Sequence, residues 1–155
     1  VRLKNPAPYP LLAGRLHTWR GGTFVGTQDL EHTGPGAPLE ASLGTDGAFR
    51  VTREVLEDRT REPGFLSSTR TLPRAYALTV RSTAAAPATI EVQENIPVSK
   101  VDAVKVELSK KTTTDGYALD PLTGLLTWPV EVRPGGDATV KVGYRIQLPD
   151  DWKVN

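Results

Sequence analysis

Arg15–Gly26 reads RLHTWRGGTFVG, two glycines set between β-favouring residues: Leu16, Thr18 and Trp19 before them, Thr23, Phe24 and Val25 after. Adjacent glycines accept the positive φ that both central positions of a primed two-residue turn require, so the stretch predicts a β-hairpin turning at Gly21-Gly22. A glycine cradle for an anionic ligand beside His17 and Trp19 is the competing reading. It needs a helix N-terminus after the glycines, and here a second strand follows instead.

Outward from the hairpin, apolar and polar residues alternate in segment after segment. Phe49, Val51, Arg53 and Val55 interleave with Arg50, Thr52 and Glu54; Tyr76, Leu78 and Val80 with Ala77, Thr79 and Arg81. Ile90 and Val92 follow, then Val104, Val106 and Leu108, then Leu126, Trp128, Val130 and Val132, then Val140, Val142, Tyr144 and Ile146. A period of two repeated this often predicts strands with one buried face. VTREVLEDRTRE at 51–62 carries helix-friendly charges but is read as one long strand. Gly34-Pro35-Gly36, Asp46-Gly47, Ala86-Pro87, Asp115-Gly116 and Pro134-Gly135-Gly136-Asp137 punctuate the runs with turn chemistry. Short strands without a crossover helix predict an all-β, antiparallel two-sheet sandwich of the immunoglobulin-like kind, with a closed β-barrel as the alternative.

The 155 residues suffice for one domain with its own core. Val1–Pro10 holds three prolines in ten positions, which reads as an extended arm or linker, with a single domain over 11–155. Methionine is absent even from position 1, so the chain is read as a mature or excised piece of a larger protein, with any targeting signal upstream. Nineteen basic residues against eighteen acidic ones are interspersed, which argues against nucleic acid as a partner. With no cysteine, disulfides, thiolate catalysis and cysteine-ligated metals are excluded. The longest apolar runs fall far short of a bilayer span.

Candidate chemistry is sparse, and neither a cofactor nor a metal is expected. His17 and His32 are the only histidines, and the spacing around them brings in no further ligands. Ser42, Ser67, Ser68 and Ser82 stand outside any nucleophile elbow. The carboxylate neighbours Glu54/Glu57, Glu91/Glu94 and Asp150/Asp151 sit among charged or turn residues, as a solvated face would have them. Asp115-Gly116 and Pro149-Asp150-Asp151 lack the acidic spacing of a calcium loop. Trp128 is in phase with Leu126, Val130 and Val132 and is expected in the core. Trp19, in phase with His17 and Arg15, Phe24 next to it at the hairpin, and Tyr117, on a loop after Asp115-Gly116, are the residues expected to contact a ligand or partner. A sugar platform is one use of such rings; covering a sheet edge is the plainer one.

Four stretches, LLAGRLHTWRGGTFVGT (Leu11–Thr27), LGTDGAFRVTRE (Leu43–Glu54), YALTVRSTAAAPATIEVQENIPVSKVDAVKVEL (Tyr76–Leu108) and VKVGYRIQLPDDW (Val140–Trp152), together resemble the C-terminal domain of the mucoidy inhibitor A-like bacterial proteins. Gly22, Phe24, Val25 and Gly26 fit its glycine turn and return strand, and Ile96–Ser99 its Ile-Pro-Val-Ser exit; Gly21 and the alanine-rich turn at 82–89 depart from it. The resemblance implies a fold without an established activity, at the end of an extracytoplasmic envelope protein. It carries over no catalytic residue, and it associates the domain with surface polysaccharide. The expectation is a non-enzymatic structural or interaction module whose partner is an envelope protein or a second copy. Carbohydrate binding is the alternative.

Overall fold

The computed structural model describes residues 1–58 and 69–152. All regular structure among them is β, in antiparallel sheets, none of which closes into a barrel. Ser67, Ser68 and the last part of the long strand expected over 51–62 lie outside the described residues. The chain divides into two compact units, Val1–Gly47 and Ala48–Asn155.

The first unit holds β1 (Arg2–Lys4), β2 (Gly14–Arg20), β3 (Thr23–Leu30) and β4 (Pro38–Glu40), joined as two ribbons, β1 with β4 and β2 with β3. The predicted hairpin is there: Arg20 pairs Thr23 across Gly21 and Gly22, whose φ values of 55° and 81° are those of a primed turn. Val1–Pro10, read from its prolines as an arm outside the fold, belongs to this unit instead. Its prolines all follow Asn5, which leaves Arg2–Lys4 free to pair with Pro38–Glu40. Asn5 is almost wholly buried and organises the turn beyond: its Nδ2 donates to the carbonyls of Tyr9, Thr33 and Gly34 at 3.0–3.2 Å, and its Oδ1 accepts from the Ala7 amide at 3.0 Å. Gln28 on β3 donates to the Glu40 carbonyl at 2.7 Å and so links the ribbons. Apart from Ala41, the buried residues of this unit are polar: Asn5, Thr18 and Thr33.

The second unit is a sandwich. Its strands are β5 (Phe49–Asp58), β6 (Thr69–Ser82), β7 (Ala88–Asn95), β8 (Lys105–Leu108), β9 (Ala118–Asp120), β10 (Leu125–Val132) and β11 (Asp137–Pro149). They form a four-stranded sheet, β5-β6-β11-β8, and a three-stranded one, β7-β10-β9. This four-plus-three division is that of a constant-type immunoglobulin domain, with the order changed: the last strand of the unit, rather than the fifth, lies beside the second. Leu78 and Val80 of β6, Val140 and Val142 of β11, Val92 of β7 and Leu126, Trp128 and Val132 of β10 make the core. The Trp128 indole N–H donates to the Thr114 carbonyl at 2.9 Å, so the largest core side chain buries no unpaired donor.

Where β8 stops at Leu108, side chains continue its ladder. Thr113 Oγ1 donates to the Gly143 carbonyl and accepts from the Gly143 amide at 3.2 and 3.1 Å, and the Thr114 hydroxyl accepts from the Lys141 amide at 2.8 Å. The fit requires glycine at 143, because a Cβ there would stand 2.6 Å from Cβ of Thr112.

Candidate functional site

Among the described residues, the β5 side of the four-stranded sheet is an uncovered part of the sandwich. Pairing puts Val51 opposite Val80, Arg53 opposite Leu78 and Val55 opposite Tyr76, so these side chains share the core-facing surface of the sheet. On β6 that surface is buried at Val80 and Leu78 and half-buried at Tyr76; on β5 it is open, with Val51 56% and Val55 54% exposed. One buried face was expected of this strand. The facing sheet covers β6 and β11 and leaves β5 overhanging, so period two sets the direction of its side chains without giving them a cover.

Arg53 occupies an apolar-phase position for a definite reason. Its Nε donates to Glu94 Oε2 at 2.8 Å, on β7 of the other sheet, and its guanidinium lies 3.6 Å from the centre of the Tyr76 ring. The bond to Glu94 holds the guanidinium pKa above its ordinary value. Beneath it, Tyr76 and Tyr144 lie with rings 6.3 Å apart, and burial, then the hydrogen bond to Tyr76, pushes the Tyr144 phenol up to about 12. This cluster closes the sandwich laterally, and among the described residues no strand pairs with the outer side of β5.

Among the described residues, the edge is a row of backbone groups without a pairing strand. The Thr83 amide donates to the Ala48 carbonyl at 2.8 Å, so in an antiparallel pair Ala48, Arg50, Thr52 and Glu54 turn their N–H and C=O toward β6. Phe49, Val51, Arg53 and Val55 turn theirs away from the sheet, where no other described strand pairs with them.

The residues singled out in the sequence fall in two places. Trp19 and Phe24 meet at the tip of the first unit's hairpin, edge to face with ring centres 5.3 Å apart, and are 61% and 48% exposed. His17 is beside them, 6.1 Å from Phe24, with Nδ1 3.3 Å from the Thr27 hydroxyl. Tyr117 is on a loop, as read, and leans on Trp128 with ring centres 6.0 Å apart, half-buried against the core. A ring so placed is a core flank rather than a flat platform. Glu94 is engaged by Arg53, Glu91 by Gln93 and Asp150 by Arg70. Among the described residues there is no group of three His, Asp or Glu side chains able to hold a metal.

The sequence did not signal a groove of about 400 Å3 on the outer face of the four-stranded sheet, floored by Pro73, Ala75 and Gly143 and walled by 109–112. Two of its cations are engaged, Arg145 by Glu107 and Arg74 by Asp58, and Lys110 and Lys111 stand exposed on its rim. Only long-range pairing assembles such a concavity, so no local motif announces it.

Comparison with known proteins gives a family and little more. The model of a domain of unknown function, DUF4139, matches residues 4–150, and the chain belongs to that family. Protein F37C4.5 of Caenorhabditis elegans is 24% identical over 157 residues, which take in 94% of this chain and 28% of that protein. The chain thus spans less than a third of the relative it matches. No solved structure matches. No helix among the described residues is long and apolar enough to cross a membrane.

Proposed function

We propose that this member of a family of unknown function is a non-enzymatic interaction module whose working surface is the open β5 edge. The observation that carries it is the row of outward N–H and C=O groups at Phe49, Val51, Arg53 and Val55, flanked by exposed Val51 and Val55 on a sheet that a packed core holds rigid. Such an edge accepts an added strand: main-chain hydrogen bonds supply affinity, and the flanking side chains supply selectivity. Within the larger protein that the coverage of the nematode relative suggests, the module would dock a partner or a second copy. The extracytoplasmic, cell-envelope setting and the link to mucoidy inhibitor A-like proteins and surface polysaccharide rest on resemblance and form part of the same proposal.

Carbohydrate binding is the second reading, favoured by the exposed Trp19–Phe24 pair, whose apolar faces suit a sugar ring. One experiment separates the two. Proteins and glycans captured from the producing cells are identified with the parent chain, Val51→Pro and Trp19→Ala as baits. Proline at 51 deletes an outward N–H and leaves the β5–β6 ladder whole. A defined protein captured by the parent and by Trp19→Ala, and lost with Val51→Pro, supports the edge. Polysaccharide captured by the parent and lost with Trp19→Ala overturns it in favour of sugar binding.

A further inference from the structure

The β5 edge is complementary to itself. We propose that a second copy of this chain pairs with it antiparallel about a two-fold axis at Thr52, joining two four-stranded sheets into one. The inference rests on the edge being the working surface and goes on to name its occupant and register.

A two-fold axis normal to a sheet keeps each side chain on its own face, so it sets residue 52 − n opposite residue 52 + n of the second copy. Thr52 then faces Thr52, Arg50 faces Glu54, Val51 faces Arg53 and Phe49 faces Val55, each pair but the first occurring twice. Phe49, Val51, Arg53 and Val55 carry the outward backbone groups, so the pairs 51/53 and 49/55 are the hydrogen-bonded ones. The pairs 52/52 and 50/54 are non-hydrogen-bonded, and their side chains approach more closely.

The chemistry of the strand fits this register and disfavours its neighbours. Arg50 and Glu54 are exposed and have no ion-pair partner among the described residues, while Arg81, in register with Arg50, is engaged by Asp137, so a carboxylate arriving from outside gives Arg50 the counter-charge its own sheet does not. Opposite charges and a threonine pair directly across a ladder are favourable cross-strand combinations. On the other face, half-buried Phe49 meets exposed Val55, and Val51 meets the aliphatic stem of Arg53, whose head is held by Glu94. Moving the axis to Arg53 sets two guanidiniums face to face. Moving it to Val51 leaves Arg50 opposite Thr52 with no carboxylate.

The chain has no cysteine, so Thr52→Cys places one thiol at the axis, where opposed Cα atoms about 4.5 Å apart fall within disulfide range. Expected is a covalent dimer under mild oxidation with Thr52→Cys and none with Arg133→Cys, a turn-surface control. In sedimentation equilibrium the parent should be a dimer. Glu54→Arg, which faces Arg50 with a like charge twice, raises the dissociation constant by at least ~10-fold, and Arg50→Glu with Glu54→Arg in one chain restores it. A parent that stays monomeric at the highest soluble concentration, a dimer indifferent to Glu54→Arg, or Thr52→Cys cross-linking no faster than the control overturns the pairing. The edge reading is tested apart from it: a monomer that still loses a captured protein on Val51→Pro keeps the edge and gives it another occupant, and one that loses nothing removes both.

Discussion

The two halves of this chain are built on different principles although both are β. Ala48–Asn155 encloses Trp128, Leu126, Val80, Val132 and Val142 between two sheets, and its order follows from apolar burial. Val1–Gly47 buries one apolar side chain, Ala41, and leaves Leu3, Tyr9, Leu12, Trp19 and Phe24 exposed. Its order comes from the Asn5 amide, the Gln28 bridge and two short ribbons, and a two-stranded ribbon is marginal alone. The sandwich can serve as a rigid platform. The ribbon unit is the adaptable part.

The largest effect should come from Trp128→Ala, which empties the core and orphans the Thr114 carbonyl. A loss of about 3–5 kcal/mol is expected in urea unfolding of the whole chain. Asn5→Ala sharpens the contrast, because it strips hydrogen bonds from the Thr33 and Gly34 carbonyls at a cost of about 1–3 kcal/mol confined to the first unit. Amide exchange should accelerate at Leu11, Thr33 and Ala37 while Val80 and Val142 are unmoved. Gly143→Ala drives a Cβ into Thr112 and should cost a similar ~1–3 kcal/mol, read as a lowered Tm of the sandwich transition.

A smaller effect lies at high pH. The folded chain holds Tyr144 neutral up to about 12, against an ordinary value of 10.0, so its contribution to stability is complete below pH 10 and is lost as the pH climbs from there toward about 12. Ultraviolet titration should show a late-ionising phenol that Tyr144→Phe removes. Trp19→Ala should be the mildest, within about 0.5 kcal/mol, because its ring is largely in solvent.

What could be read in the sequence tracks the range of the interaction responsible. Gly21-Gly22 declared its turn because the φ requirement is local, and Trp128 declared its burial by standing in phase with Leu126 and Val132. Arg2–Lys4 did not declare its strand, since its partner is the distant Pro38–Glu40 and three prolines, Pro6, Pro8 and Pro10, follow it directly. Val51 and Val55 looked like core because alternation shows which way a side chain points and is silent on whether a second sheet reaches it. Arg53 was the available clue: a charge in an apolar phase, explained by Glu94 on a strand of the other sheet. The edge it marks has no local signal of its own, and Tyr117, legible as a loop residue, is a flank of the core.

The most direct test of the contrast is residue-resolved amide exchange on the intact chain under native conditions. The slowest amides should lie in the inward ladders of β6, β10 and β11, among them Val80, Trp128 and Val142, opening only with global unfolding, while Val1–Gly47 exchanges through local openings at least ~100-fold faster. Protection of Val1–Gly47 equal to that of Val80 and Val142 would contradict the account, for it would mean that the polar unit and the sandwich unfold as one.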